Sequence, residues 1–213
     1  MAPFRPCPRP RRPARPRKPT RVRRAEIADA AMRVIAAQGA RRFTARALAR
    51  EVGISDGAVF RHFPSMEAVV TAVVERMEAV LFADVPPVQP DPVERLGAFF
   101  RARVAALAAH PHLARLLFSD QLAQLGGPEQ ARRIEEFKGR TRRFIAACLA
   151  EAKEKGLLAE GLGPREGTVI VQGAVFVLGH GGGVERNTTA VWGALESLLR
   201  GVGHRAGDRK GRR

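Results

Sequence analysis

Tyrosine is absent from the 213 residues, tryptophan occurs once, and cysteine occurs only at Cys7 and Cys148. The two cysteines sit in different surroundings and no Cys or His pair recurs at metal-ligand spacing. Both facts argue against a disulfide framework or a zinc module and favour a reducing compartment. No segment approaches the ~18 uninterrupted apolar residues that a membrane helix needs. The N-terminus lacks the apolar core of a signal peptide, so Arg11-Arg12 has no twin-arginine export context and a cytoplasmic protein is expected. What is present, 45% hydrophobic and 27% charged residues, suffices for one sizeable core or two small ones.

The formal charge of +16 is concentrated at the two ends. Residues 1–24 hold ten Lys or Arg and no acid, and residues 201–213 hold five against Asp208, whereas residues 25–200 are nearly balanced. The Arg/Pro alternation from Arg9 to Pro19 cannot bury apolar surface or form a helix, so residues 1–20 are expected to be a disordered basic arm and 204–213 a disordered basic tail. Two readings of the arm stand side by side. It is either a polyanion-binding segment, or a solubilising extension or product of an overextended start codon. Arginine outnumbers lysine 32 to 5, a bias that a GC-rich genome produces by itself, so the choice of arginine is no functional signal.

From Thr20 the pattern is helical. Ile27, Ala30, Ala31, Val34 and Ile35 follow a 3.6-residue period that ends at Gly39. Thr44 is a good N-cap for a short helix to Val52, stopped by Gly53. Ser55 is placed to cap a third helix over Asp56 to Phe63, which ends before Pro64. Ser65 opens a fourth, with Met66, Val69, Val70, Val73, Val74, Met77, Val80 and Leu81 on one stripe. Two short helices joined by Gly53-Ile54-Ser55 have the outline of a helix-turn-helix over residues 44–63. A tight crossing needs a small residue at the contact (Ala49), a turn residue free to take positive φ (Gly53) and branched apolar contacts (Ile54 and Val59). All occur at consistent offsets. The alternative is three short helices packed for structural reasons alone.

The run Thr44-x3-Leu48-Ala49-x2-Val52-Gly53-Ile54-Ser55-x-Gly57-x-Val59-Phe60-x-His62-Phe63-x-Ser65-x-Glu67 resembles the N-terminal domain of TetR-type transcriptional regulators, with the similarity covering residues 21–82. The helical pattern along the chain gives an all-α protein of about nine helices with no convincing strand, and the resemblance implies an all-helical ligand-binding domain. An N-terminal three-helix helix-turn-helix domain (21–82) would bind a double-stranded DNA operator, and a C-terminal helical domain (91–203) would bind a ligand and form a homodimer. It also implies release from DNA when a small-molecule effector binds. Mapped onto this sequence, Thr44 and the amides it caps meet a phosphate, Ser55 to Arg61 face base edges and backbone, and His62 touches a phosphate.

The chemistry of these residues agrees with that mapping. Free N–H groups at a helix N-terminus suit an anion, and Gly57 removes bulk where a helix approaches DNA. Arg46 and Arg61 suit phosphates or a guanine edge, while Asp56 either accepts from a cytosine amine or stabilises its own helix start. The sequence departs from the family at Phe60, where a tyrosine is usual, and at Met66, where a lysine is usual. Each departure removes a phosphate contact that the basic arm is positioned to restore.

After a Pro-rich joint at residues 84–92, Asp91 caps and Pro92 begins a helix to about Ala109. Further helices are expected over Pro111 to Leu125, ended by Gly126-Gly127-Pro128, then Glu129 to Lys155, Pro164 to Gly179 and Thr188 to Val202. The last two are apolar around much of their circumference, which suits either a central place in the monomer or pairing with a second copy through faces containing Phe176 and Leu195. Phe100, Phe118, Phe137, Phe144, Gln172 and Phe176 are candidate effector contacts, with ordinary core packing as the alternative for each aromatic. Phe99, His110, Gln121 and His180 complete that set. His110-Pro111-His112 suits a helix cap better than a metal site, and Cys148 reads as a buried small hydrophobe.

No enzyme is expected. His180-Gly181-Gly182-Gly183 resembles an oxyanion loop, yet none of Ser55, Ser65, Ser119 and Ser197 lies in Gly-x-Ser-x-Gly, and Gly161-x-Gly163 follows no strand. No cofactor or metal is implied. The function expected is a cytoplasmic, nucleoid-associated, dimeric repressor released by a small, largely apolar ligand. A nucleoid-organising DNA binder of low sequence preference is the alternative.

Overall fold

The computed structural model describes residues 19–83, 88–180 and 187–201, and the described residues are all-helical. Residues 1–18 of the basic arm, the tail, residues 84–87 of the Pro-rich joint and the Gly181–Gly183 run lie outside them, Cys7 included. The elements are α1 (Thr20–Gln38), a 3-10 turn (Ala40–Arg42), α2 (Ala45–Val52), α3 (Asp56–Phe60), α4 (Met66–Leu81), α5 (Pro92–Ala109), α6 (Pro111–Leu117), α7 (Gln121–Glu154), α8 (Pro164–His180) and α9 (Thr188–Arg200). None is long and apolar enough to cross a membrane.

Caps explain most of the boundaries. Thr44 Oγ1 accepts from Ala47 N at 3.1 Å and Ser65 Oγ from Ala68 N at 3.2 Å. Asp91 Oδ1 accepts from Val93 N at 2.7 Å and from Glu94 N at 3.1 Å, with Pro92 in the first turn. Ser55 is a correction, because its side chain makes no capping bond. Its backbone carbonyl holds the turn instead, accepting from Ala58 N at 2.9 Å. α3 also stops at Phe60 rather than Phe63, closing through Phe63 N to Val59 O at 3.0 Å. His110 likewise gives α6 no side-chain cap.

The helix expected over 111–125 is two helices. α6 ends at Leu117, where the Ser119 hydroxyl donates back to Leu116 O at 3.3 Å, and Asp120 O accepts the first bond of α7 from Gln124 N at 3.0 Å. The expected break at Gly126-Gly127-Pro128 is present, because α7 is two helical segments that meet at a kink there. Gly127 takes φ 71°, ψ −168°, which only glycine adopts without strain and which interrupts the helix, and a second segment runs from there to Glu154. At Gly126 an added Cβ would lie 3.0 Å from Val70 Cγ1, so the bend lets α7 pass close to α4.

One continuous apolar core joins the N-terminal helices to the rest. Ile27, Ile35, Leu48, Val59, Val73 and Met77 are fully buried at one end, and Leu96, Phe100, Leu113, Ile145, Leu149 and Leu199 at the other. Polar contacts tie α4 to α1 and both of these helices to the second end. Arg76 of α4 meets Asp29 of α1 at 3.0 Å, and Glu78 of α4 receives Arg133 at 3.2 Å and Arg140 at 2.6 Å from α7. Gln130 donates to the Thr71 hydroxyl at 3.0 Å, and Arg115 of α6 to Ala36 O at 3.1 Å.

Candidate nucleic-acid interface and effector cavity

The α2–α3 crossing is built from the residues that the spacing singled out. Ala49 is buried beneath the turn and its carbonyl accepts from both Gly53 N (2.9 Å) and Ile54 N (3.0 Å). Gly53 takes the left-handed conformation, φ 74° and ψ 40°, that ends α2 and aims α3. Val59 is fully buried and Ala58 nearly so, which leaves the opposite side of α3 to solvent. Arg24 of α1 fastens its far end, donating to His62 O at 2.6 Å with its guanidinium 4.3 Å from the Phe63 ring centroid.

The outward side carries Ser55, Asp56, Gly57, Phe60 and Arg61, all exposed, with Thr44 and Arg46 of α2 beside them. A Cβ at Gly57 would meet nothing within 4 Å, and Phe60 presents 48% of its surface. Between α2 and α3 lies an open recess of about 400 Å³ lined by Thr44, Arg46, Ala47, Arg50, Ile54 and Asp56. Arg33 and Arg23 are neutralised by Glu51 and Glu26, at 2.8 and 2.9 Å. Among the described residues no ion pair involves Arg46, Arg50 or Arg61. The outward face therefore carries uncompensated positive charge. His62 is half-buried, its Nδ1 has no partner, and burial, then the charges of Arg23, Arg61 and Arg24, hold its pKa below the usual histidine value.

A second site lies among α5, α6, α7 and α8. A cavity of about 80 Å³ is lined by Phe99, Arg103, Leu107, Leu117, Phe118, Phe137, Lys138, Thr141, Ile145, Gln172 and Val175. Arg103 is 5% exposed, with its guanidinium carbon 5.0 Å from the Phe82 centroid and 5.1 Å from that of Phe99. Burial, and secondarily the charge of Arg140, lowers its pKa to about 10.

Three kinds of comparison bear on these two sites. A model of "Bacterial regulatory proteins, tetR family" matches residues 27–73, which span α1 to α4. The nucleoid occlusion factor SlmA of Marinobacter nauticus is 30% identical over 159 residues, covering 73% of this chain and 77% of that protein. The chain belongs to the TetR family. The HTH-type transcriptional repressor KstR2 of Mycobacterium tuberculosis is 28% identical over 136 residues, 62% of this chain and 68% of that one. Its solved structure superposes with a TM-score of 0.73 at 22% identity, covering 84% of this chain and 95% of the other. AibR, solved with isovaleryl coenzyme A and operator DNA, superposes with a TM-score of 0.67 at 19% identity, covering 84% and 98%. These TetR-family relatives are DNA-binding regulators, and the helix-turn-helix reading agrees with them.

Within this TetR-family chain the expected DNA contacts Thr44, Arg46, Ser55, Asp56, Gly57, Phe60 and Arg61 share one exposed face, with His62 half-buried at its edge. Arg50 was missed, although its i, i+4 spacing from Arg46 was the available signal. The effector candidates divide. Phe118, Phe137 and Gln172 line the cavity. Phe100 does not, being fully buried against Trp192 at 5.3 Å between centroids. Phe144 packs on Phe99 at 5.0 Å outside the lining, and Phe176 is 42% exposed on the outer face of α8. Arg103, Lys138 and Thr141 were missed. Arg103 falls on the apolar stripe of α5 between Phe99 and Leu107, and a charge on such a stripe marks either strain or a ligand. Cys148 is buried among apolar residues, and burial raises its thiol pKa.

Proposed function

We propose that the chain is a dimeric repressor whose α2–α3 face reads an operator and whose α5–α8 cavity binds the effector that releases it. The observation that carries the reading is the conjunction at α3 of a bare glycine, an exposed aromatic and arginines without acidic partners. That combination costs solubility and specifies nothing in the fold, but it suits a polyanion approached closely. Thr44, Arg46, Arg50 and His62 meet backbone phosphates, and Ser55, Asp56, Gly57, Phe60 and Arg61 face the groove. Residues 21–82 form the DNA-binding unit and 91–203 the effector and dimerisation unit, with 1–20 and 204–213 as basic extensions.

Dimerisation is supported by α8 and α9. Val169, Phe176, Val177 and Leu198 are exposed, and a Cβ at Gly173 or Gly193 would meet nothing within 4 Å. A helix face that is apolar and glycine-bearing toward solvent suits close approach of a second copy, and a two-fold operator needs a two-fold reader. Leu195 belongs elsewhere: it is 8% exposed and packs inside its own chain.

Release is supported by one side chain. Phe82, just past the end of α4, receives Arg103 from the cavity at 5.0 Å and Arg140 of α7 at 3.9 Å. Five residues separate the end of α3 from the start of α4, so a ligand that moves Arg103 bears on the helix that carries the reader. The test is binding to DNA upstream of the chain's own reading frame against an unrelated duplex of equal length, at one stated salt concentration. Repression predicts at least a ~10³-fold preference for the upstream DNA. A second reading, a nucleoid-organising protein, is favoured by the identity to the nucleoid occlusion factor and predicts equal affinities.

A further inference from the structure

The cavity walls are mainly apolar, and Arg103 is the buried charge among them. Arg103 lines the cavity, and two of its nitrogens, Nε and Nη2, are buried with no hydrogen-bond partner. These two atoms form the side-on edge of the guanidinium, whose parallel N–H groups match the two oxygens of a carboxylate. Nothing on the protein fills that role. Among the described residues no carboxylate pairs with Arg103, the charge that bears on it is the like charge of Arg140, and Lys138 at the rim is taken by Glu135 at 2.9 Å. A buried, unpaired charge costs stability and is retained only where something offsets it. The Phe82 and Phe99 rings hold the guanidinium by its faces and leave its edge unsatisfied.

We propose that the effector is a compact apolar carboxylic acid, bound as its carboxylate by the otherwise unpaired guanidinium of Arg103. Its apolar body lies against Leu107, Leu117, Phe137 and Ile145. Two donors in one plane suit a carboxylate better than a phosphate, which presents more oxygens than these walls can satisfy. Thr141 and Gln172 supply further polar contacts at the lining. The cavity of about 80 Å³ sets the size, since sites for larger ligands run to ~300 Å³ and above. The ligand class deepens the release reading above and rests on it only for the step from binding to DNA.

The test uses the full chain with hexanoate, 3-phenylpropionate, their primary amides and hexyl phosphate, with binding followed by calorimetry and operator affinity by anisotropy. At least one carboxylate is expected to bind, and its amide at least ~30-fold more weakly, because the amide keeps the shape and loses the charge. Arg103→Met keeps the aliphatic stem and should lose the same ~30-fold for the carboxylate while leaving amide affinity unchanged; Arg103→Lys, a charge without the fork, should fall between. If Arg103→Met does not fold, the lysine variant and the amide comparison on the wild type still decide. Absence of carboxylate binding, equal binding of amide and acid, or tighter binding of hexyl phosphate than of hexanoate overturns the proposal. Carboxylate binding that depends on Arg103 yet leaves operator affinity unchanged supports the ligand class and removes the release reading. A compound that releases DNA and binds Arg103→Met equally well does the reverse.

Discussion

Substitution at Gly57 separates what α3 contributes to stability from what it contributes to DNA binding. The backbone there is helical, and a Cβ would meet nothing within 4 Å, so alanine and even tryptophan enter open space. Gly→Ala in a helix interior gains up to ~1 kcal/mol. In the five-residue α3 about half of that is expected, or about 1–2 °C in melting temperature for a chain of this size. Gly57→Trp should likewise leave the helical circular-dichroism signal and the melting temperature close to wild type. DNA binding should respond the other way. An indole on the outward side of α3 holds the groove wall away from Ser55, Asp56 and Arg61. Loss of two contacts at ~1–3 kcal/mol each weakens operator binding at least about 30-fold and, at the upper end, beyond 10³-fold. Arg61→Ala, which removes one contact, should lose about 5- to 150-fold on the same scale. The assay is fluorescence anisotropy on operator DNA at fixed salt, paired with thermal melts of the same preparations. A tryptophan variant that binds operator as tightly as wild type would refute the assignment of this face to DNA.

Three further outcomes are expected. At Gly97 an added Cβ would lie 2.5 Å from Trp192 Cε2 and 2.7 Å from its Nε1, and that indole is itself buried against Phe100, so Gly97→Ala should destabilise. Overpacking of ~1–3 kcal/mol, reduced by the helix-propensity gain, gives a loss of about 1–2 kcal/mol in chemical denaturation; an unchanged midpoint would contradict the close packing of α5 on α9. Phe176→Glu combined with Leu198→Glu should give a folded monomer in sedimentation, whereas Leu195→Glu should unfold the chain, because only the first two side chains face outward. Deleting residues 2–18 keeps Pro19, whose carbonyl accepts from Arg23 N at 3.1 Å, and removes seven positive charges. If three of them per chain meet phosphates, a dimer's slope of log affinity against log salt should fall by roughly 5, and superimposable slopes would show a passive extension.

The helix-turn-helix was legible because its requirements are local and stereochemical. Ala49, Gly53 and Val59 each answer one demand of the crossing, and each does so in the structure. The stripes of α1, α4 and α5 were legible because caps and periodicity agreed. The break after Leu117 was not, since apolar residues continue in phase through Leu116, Leu117, Leu122 and Leu125 and no Gly or Pro marks residues 118–120. The break at Gly127-Pro128 was legible, since a glycine free to take positive φ followed by a proline interrupts a helix whatever packs around it. Periodicity also cannot rank neighbours on a stripe. Phe99 and Phe100 are adjacent and both buried, yet about 100° of rotation sends one to the cavity and the other to Trp192.

Phe118 has a position on two boundaries at once. Its ring lines the cavity and also meets Phe176 edge-on, at 4.6 Å between centroids, with His180 5.0 Å away. Phe176 is one of the side chains that a second copy would cover. In the dimer proposed on α8, the partner would cover Phe176 and so bear on Phe118, a wall of the cavity, and a bound effector would leave more slowly while that contact holds. Escape of the effector and opening of the two-fold seam are then coupled. The lifetime of the released state would follow the breathing of the dimer rather than the affinity of the effector alone, and dilution toward monomer would shorten it.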